Sequence, residues 1–197
     1  MADIAIQDAA RANELLAALG DQVHARGEHF SIAVVGGSAL LALELTSRAT
    51  TDVDVVGLLD GATLTSAQPL PDGLLQAARV VARDFTLTES WLNAGPTSLL
   101  EFGLPDGFYE RAEHRQYGPG LSVAFASRLD QIHLKLYATV DQGVGKHLTD
   151  LRALEPTPGE LLAAAAWSEA HDISAGYRDE LTRILTYLGV DRGPADA

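Results

Sequence analysis

The chain is expected to be an α/β (α+β) protein whose last third is all-α. Two short β-branched runs, SIAVV and VDVV, bracket a helix-forming stretch, SALLALELTSR. From about residue 127 onward, apolar residues recur only at helical spacing. With 47% hydrophobic and 21% charged residues among 197, the chain has enough apolar surface to close a core without covalent staples. These features predict two parts, residues 1–126 carrying the sheet and residues 127–197 forming the helical part.

The elements follow in order. From Gln7 to Ala25, apolar Leu15, Leu16, Leu19 and Val23 mark a helix that Gly27 closes. SIAVVGG predicts a buried strand ending in a turn, SALLALELTSR a helix, and TDVDVVGLL a second strand. Residues 60–73, rich in Gly, Ser, Thr and Pro, predict a long loop. Leu74 to Arg83 is patterned as a helix, DFTLTESWL as a strand, NAGPTSLLEFGLPDG as irregular chain and LSVAFAS as a strand feeding the helix SRLDQIHLKLYATVD. Further on, Thr157-Pro158-Gly159-Glu160 has the form of a capping box, with proline at the first helical position. In the final helix Tyr177, Leu181, Ile184, Leu185 and Leu188 share one stripe, and Gly189 stops it. VDRGPADA is expected to fray.

Composition removes several chemistries. With no cysteine there is no disulfide, thiolate metal site or thiol nucleophile. The net charge is −13, from 14 Lys+Arg against 27 Asp+Glu, which opposes nonspecific binding to polyanions and to anionic membranes. The N-terminal stretch lacks the order of a signal peptide and no apolar run has the length of a bilayer span, so a cytoplasmic location without a membrane partner is expected. The six histidines show no zinc-ligand spacing.

Two features in the first third carry chemistry. Strand, Gly36-Gly37-Ser38, helix is a geometry in which backbone N–H groups approach an anion closely. It matches neither a P-loop nor a dinucleotide fingerprint. Asp52 and Asp54, two apart on a strand, project from the same face. Like charges held that close call for a cation, and Mg²⁺ accepts one or two carboxylates while filling its shell with phosphate oxygens and water. An anion-binding turn beside an Mg²⁺-binding pair would grip two parts of one nucleoside triphosphate.

Gly36-Gly37-Ser38 followed by Arg48, Thr50, Asp52 and Asp54 resembles the GG[ST]…R.[ST].D.D signature of the polymerase-β-type nucleotidyltransferase superfamily. More narrowly, the chain resembles the AbiEii/MenT-type nucleotidyltransferase toxins. Trp91-Leu92-Asn93, the helix around Lys135, and Lys146-His147-Leu148-Thr149-Asp150-Leu151 are similar to that family's later segments, over roughly residues 30–155. His147 departs from the pattern, since relatives often carry an acid there. The resemblance implies a small mixed β-sheet core flanked by helices, with the C-terminal part contributing Lys135 and Asp150 to the cleft. It implies Asp52, Asp54, Lys135 and Asp150 as catalytic residues, with Asp52 and Asp54 as metal ligands. Gly36, Gly37, Ser38, Arg48 and Lys135 are implied to bind the nucleotide.

Several roles have rivals. Ser38 is either a phosphate donor or a helix cap, and Arg48 either contacts phosphate or braces the turn before Asp52. Lys135 shares a stripe with Arg128, Gln131 and Thr139, as a cleft-facing or a solvent-facing lysine would. Asp150 orients Lys135, joins the metal site or is an exposed helical acid. Glu89 and Asp84 are the candidates for the third carboxylate used by many members of the superfamily, with a solvated acid as the plainer reading of each. Trp91 is expected in the core.

The acceptor follows from the resemblance alone. It implies transfer of a nucleoside monophosphate from a nucleoside triphosphate to the 3′ acceptor end of transfer RNA, which blocks aminoacylation. It also implies a cognate antitoxin that binds or modifies the enzyme, with Thr50 at a position where a phosphate would clash with the triphosphate. Arg79, Arg83, Arg111, Arg115, Lys135, Lys146 and Arg152 are the cations from which an RNA-binding face would be built. The acidic total suits instead a small cationic acceptor of the aminoglycoside kind. A third alternative is a binding module without turnover.

Overall fold

The computed structural model describes residues 5–191. The chain divides into two units, residues 1–127 and 128–197. The expected fraying tail lies, from residue 192, outside the described residues.

The first unit begins with α1 (Ala9–His24), where Asp8 Oδ1 accepts the Arg11 N–H at 2.8 Å and so caps the first turn. Then come β1 (Phe30–Val35), α2 (Gly36–Ala42), β2 (Val53–Asp60), β3 (Thr63–Thr65), α3 (Asp72–Phe85) and β4 (Leu92–Asn93). A 3₁₀ turn at Gly95–Ser98 leads into α4 (Leu99–Phe102), α5 (Phe108–Arg111), β5 (Glu113–Tyr117) and β6 (Leu121–Phe125). All six strands form one mixed sheet in the order β3-β2-β1-β6-β5, with β4 also on β2. The central β1 runs antiparallel to β2 and parallel to β6, with Val35 opposite Asp54 and Val34 opposite Phe125. Leu15, Leu16 and Leu19 of α1 join Leu74 and Val81 of α3 and Ile32, Val55 and Phe125 of the sheet in one buried cluster. Trp91 is fully buried in the same cluster, and its indole N–H donates to the Ala78 carbonyl at 2.9 Å. The protein is thus α/β with a small mixed sheet flanked by helices and a helical C-terminal part.

Three expected segments differ. The second helix stops at Ala42 rather than continuing to Arg48, because the Arg115 guanidinium takes the Ala42 carbonyl at 2.8 Å and Glu44 turns left-handed at φ 58°. The 60–73 loop contains β3, a strand made by pairing with Leu58–Asp60 rather than by apolar alternation. DFTLTESWL is not a strand: the buried stripe of α3 carries the helix to Phe85, Thr86 closes it at φ 58°, and only Leu92 and Asn93 pair with β2. The edge strand β5, EHRQY, went unrecognised because only Tyr117 in it is buried.

The second unit holds α6 (Arg128–Gln142), α7 (Lys146–Ala153), α8 (Pro158–Glu169) and α9 (Ala175–Tyr187). α6 packs against the other three, and both its stripes are buried: Ile132 and Leu136, but also Gln131, Lys135 and Thr139. The expected two-faced helix is therefore covered almost all round. The capping box at α8 is present, with Thr157 Oγ1 accepting the Glu160 N–H and Glu160 Oε2 accepting the Thr157 N–H at 2.8 Å. Among the described residues no helix is long and apolar enough to cross a membrane.

Candidate functional site

The end of β1, the start of α2 and the entry to β2 meet in the first unit. Gly36 sits at φ 78°, a conformation that costs L-residues with a Cβ, and it opens α2 directly after β1. A Cβ on Gly36 would lie 2.5 Å from Asp54 Oδ2. One on Gly37 would lie 3.1 Å from Thr50 Oγ1 and 3.2 Å from an Arg48 terminal nitrogen. Both glycines are thus explained by what stands against them, namely the Arg48, Thr50 and Asp54 side chains.

The carboxylates are half-buried and each is held by a neutral donor. Thr50 Oγ1 donates to Asp52 Oδ1 at 2.9 Å. Asn93 Nδ2 donates to Asp54 Oδ1 at 3.1 Å, across the β2–β4 pairing in which Asp54 faces Asn93. Thr50 is itself pinned by a two-way backbone bridge, donating to the Ile6 carbonyl at 3.0 Å and accepting from the Ile6 N–H at 2.6 Å. Arg48 donates to the Ala49 carbonyl at 3.1 Å, which folds the side chain along the approach to Thr50.

Ser38 lies within the first turn of α2 rather than at its cap, which is Val35, so the capping alternative fails. Its hydroxyl oxygen is buried and has no hydrogen-bond partner. A buried polar atom left unsatisfied costs on the order of 1–3 kcal/mol, so a ligand oxygen there would relieve it.

The donor set fits a magnesium ion better than a softer one. Among the described residues no group of three or more His, Cys, Asp or Glu gathers to hold a metal. Two carboxylates, with the remaining positions left to water and phosphate, are what Mg²⁺ accepts. The missing Cβ at Gly36 leaves the Asp54 Oδ2 its space.

The remaining residues divide plainly. Asp84 is exposed in the last turn of α3 and pairs with Arg83 at 2.8 Å, and Glu89 is exposed in a turn. Neither stands on a strand beside Asp54; the β4 residue that does is Asn93. In the second unit Lys135 Nζ and Asp150 Oδ2 form a buried ion pair at 2.8 Å, with 5% and 0% of each residue exposed, so Lys135 is no solvent-facing lysine and Asp150 no exposed acid. His147 lies at the start of α7, its ring 3.1 Å from Gln142 Oε1. Of the proposed RNA-facing cations, Arg83 pairs with Asp84, Arg115 with Glu113 and Lys135 with Asp150.

Sequence reasoning gave Asn93 no role beyond its place in the Trp91-Leu92-Asn93 segment, and it overlooked Ile6. The Asn-Ala-Gly that starts at the last residue of β4 was a further signal for Asn93, since asparagine accepts from the backbone two residues on and here accepts the Gly95 N–H at 2.9 Å. Ile6 carried no signal beyond being apolar. Comparison with family models, curated proteins and solved structures finds no match to this chain.

Proposed function

We propose that this chain is an Mg²⁺-dependent nucleotidyltransferase toxin that moves a nucleoside monophosphate from a nucleoside triphosphate to the 3′ acceptor end of transfer RNA. What supports the reading most is the convergence at the glycine turn, where Gly36 accommodates Asp54 and Gly37 accommodates Arg48 and Thr50. Residues 11–18 positions apart in sequence become neighbours.

The Gly36–Ser38 backbone and the Ser38 hydroxyl receive the triphosphate tail, and Arg48 offsets its charge. Asp52 and Asp54 would hold the metal, which would supply positive charge beside the α-phosphate. The terminal ribose hydroxyl gives up its proton to solvent and forms a bond to the α-phosphorus, the bond to the bridging oxygen breaks, and pyrophosphate leaves. Within the second unit, the pairing of Lys135 with Asp150 supports an orienting role for that acid. A cognate antitoxin silences the enzyme. A phosphate on Thr50 would set a dianion against Asp52, whose Oδ1 the Thr50 hydroxyl contacts now. Intact mass after co-expression with the neighbouring gene product tests this, and an unshifted mass refutes phosphorylation.

The net charge of −13 and the paired arginines favour a second acceptor, a small polycation of the aminoglycoside kind. Incubation with Mg²⁺, each labelled nucleoside triphosphate, and either total transfer RNA or an aminoglycoside separates the two. Label in RNA supports the first, label in the small molecule the second, and no transfer leaves a binding module. Asp52→Ala should reduce transfer by several orders of magnitude; undiminished transfer by that variant sinks the site assignment.

A further inference from the structure

We infer that Asn93 is a positioning residue for Asp54: a neutral donor that aims one metal-binding carboxylate without itself being a ligand. The inference rests on the nucleotidyltransferase reading and goes beyond it by assigning the strand beside Asp54.

The amide is held in one orientation. Gly95 N–H can only donate, and it meets Asn93 Oδ1 at 2.9 Å, so the Asn93 NH₂ is the group directed to Asp54 Oδ1 at 3.1 Å. The backbone register agrees, since β4 places Asn93 opposite Asp54. The segment after it is anchored to the same strand, with Thr97 Oγ1 donating to the Val56 carbonyl at 2.8 Å and accepting the Ala67 N–H at 3.1 Å. Asn93 is therefore fixed from the β2 pairing on one side and from the Gly95 turn on the other.

The consequence is a symmetry in how the two acids are held. Thr50 donates to one oxygen of Asp52 and Asn93 to one oxygen of Asp54, so each carboxylate accepts from an uncharged side chain. A third carboxylate at residue 93 would add repulsion in the absence of a cation and a ligand in its presence. The amide avoids both effects and leaves a two-carboxylate site.

Mn²⁺ titration of the full-length protein, followed by loss of the free-ion electron paramagnetic resonance signal and by thermal midpoint, tests this. Mn²⁺ takes the same oxygen ligands as Mg²⁺. Asn93→Ala should weaken Mn²⁺ binding about 10–100-fold, the usual cost of removing an outer-shell partner. Asn93→Asp keeps the acceptor for Gly95 but turns an anion on Asp54. Its midpoint should fall below wild type without metal and rise more steeply than wild type as Mn²⁺ is added. Asn93→Asp reads the positioning role even where Asn93→Ala does not fold. If Asn93→Asp matches wild type both with and without Mn²⁺, Asn93 merely shapes the Gly95 turn and the inference fails while the enzyme reading stands. If wild type binds Mn²⁺ no better than Asp52→Ala, the nucleotidyltransferase reading falls and takes the inference with it.

Discussion

At Gly36 the backbone turns through φ 78° and a methyl group would meet Asp54 Oδ2 at 2.5 Å, so two separate penalties fall on one position. The left-handed backbone costs a residue with a Cβ about 1–2 kcal/mol. The steric contact instead swings Asp54 aside, which damages the site more than the fold. Gly36→Ala is therefore expected to keep a cooperative melt, lowered modestly, while Mn²⁺ binding is lost; calorimetry and metal titration on the same sample check this. The buried Lys135–Asp150 pair makes the opposite demand. Asp150→Ala removes the anion facing a buried ammonium and should destabilise the protein by about 3–5 kcal/mol in urea denaturation. Adding Lys135→Met should recover much of that loss, because an apolar side chain needs no counter-charge. An inactive Asp150 variant thus reports on catalysis only after its stability has been measured.

The loop into α8 is organised by Arg128 from the first residue of α6. Its guanidinium donates to the Leu154 and Glu155 carbonyls, at 2.8 Å each, and to Glu160 Oε1 at 2.6 Å. The Arg128 hydrogen bond, followed by the Thr157 N–H, holds the Glu160 carboxyl well below its ordinary 4.5, at about 2. A carboxyl lowered on folding adds stability that is fully present above its unfolded value and is lost as pH falls through the folded one. Glu160→Gln should therefore cost about 1–2 kcal/mol at pH 7, allowing for solvent screening. That gap should close between roughly pH 4.5 and pH 2, as denaturation across this range would show. Elements built from such local signals were legible: the capping box, the α9 stripe and α1 all follow from spacing along the chain. β3 and β5 were not, since a polar edge strand exists only through its neighbour's hydrogen bonds.

Each of the two units contains one of the two tryptophans, Trp91 in the first and Trp167 in the second. Single-tryptophan variants consequently report on the units separately. In the second, Leu181 of α9 is fully buried, so Leu181→Ala should lower the stability read by Trp167 in a Trp91→Phe background by about 2–5 kcal/mol. An unchanged midpoint would mean that α9 adds little to that unit. The overall charge bears on the acceptor rather than the fold. With 27 acids against 14 bases, the proposed binding of RNA would have to rely on a few local contacts, and at least three of the cations available for them are already paired.

The amino-acid order alone was enough for the α/β class, the helical C-terminal part and the glycine turn, because each is written in local spacing: period two or period 3.6, a turn residue, a cap. Asp52, expected on one strand with Asp54, instead precedes β2, which starts at Val53. Which side chains stand against that turn was settled by the folded chain. Arg48, Thr50 and Asp54 come to the glycines only after Arg115 and Glu44 end α2 early and the chain doubles back. Asn93 reaches Asp54 only because eight of the nine expected strand residues, 84–91, gave way to helix and turn, leaving Leu92 to pair with β2 together with Asn93. Long-range contacts of this kind depend on which burial and hydrogen bonds win in three dimensions, and no local pattern encodes the outcome.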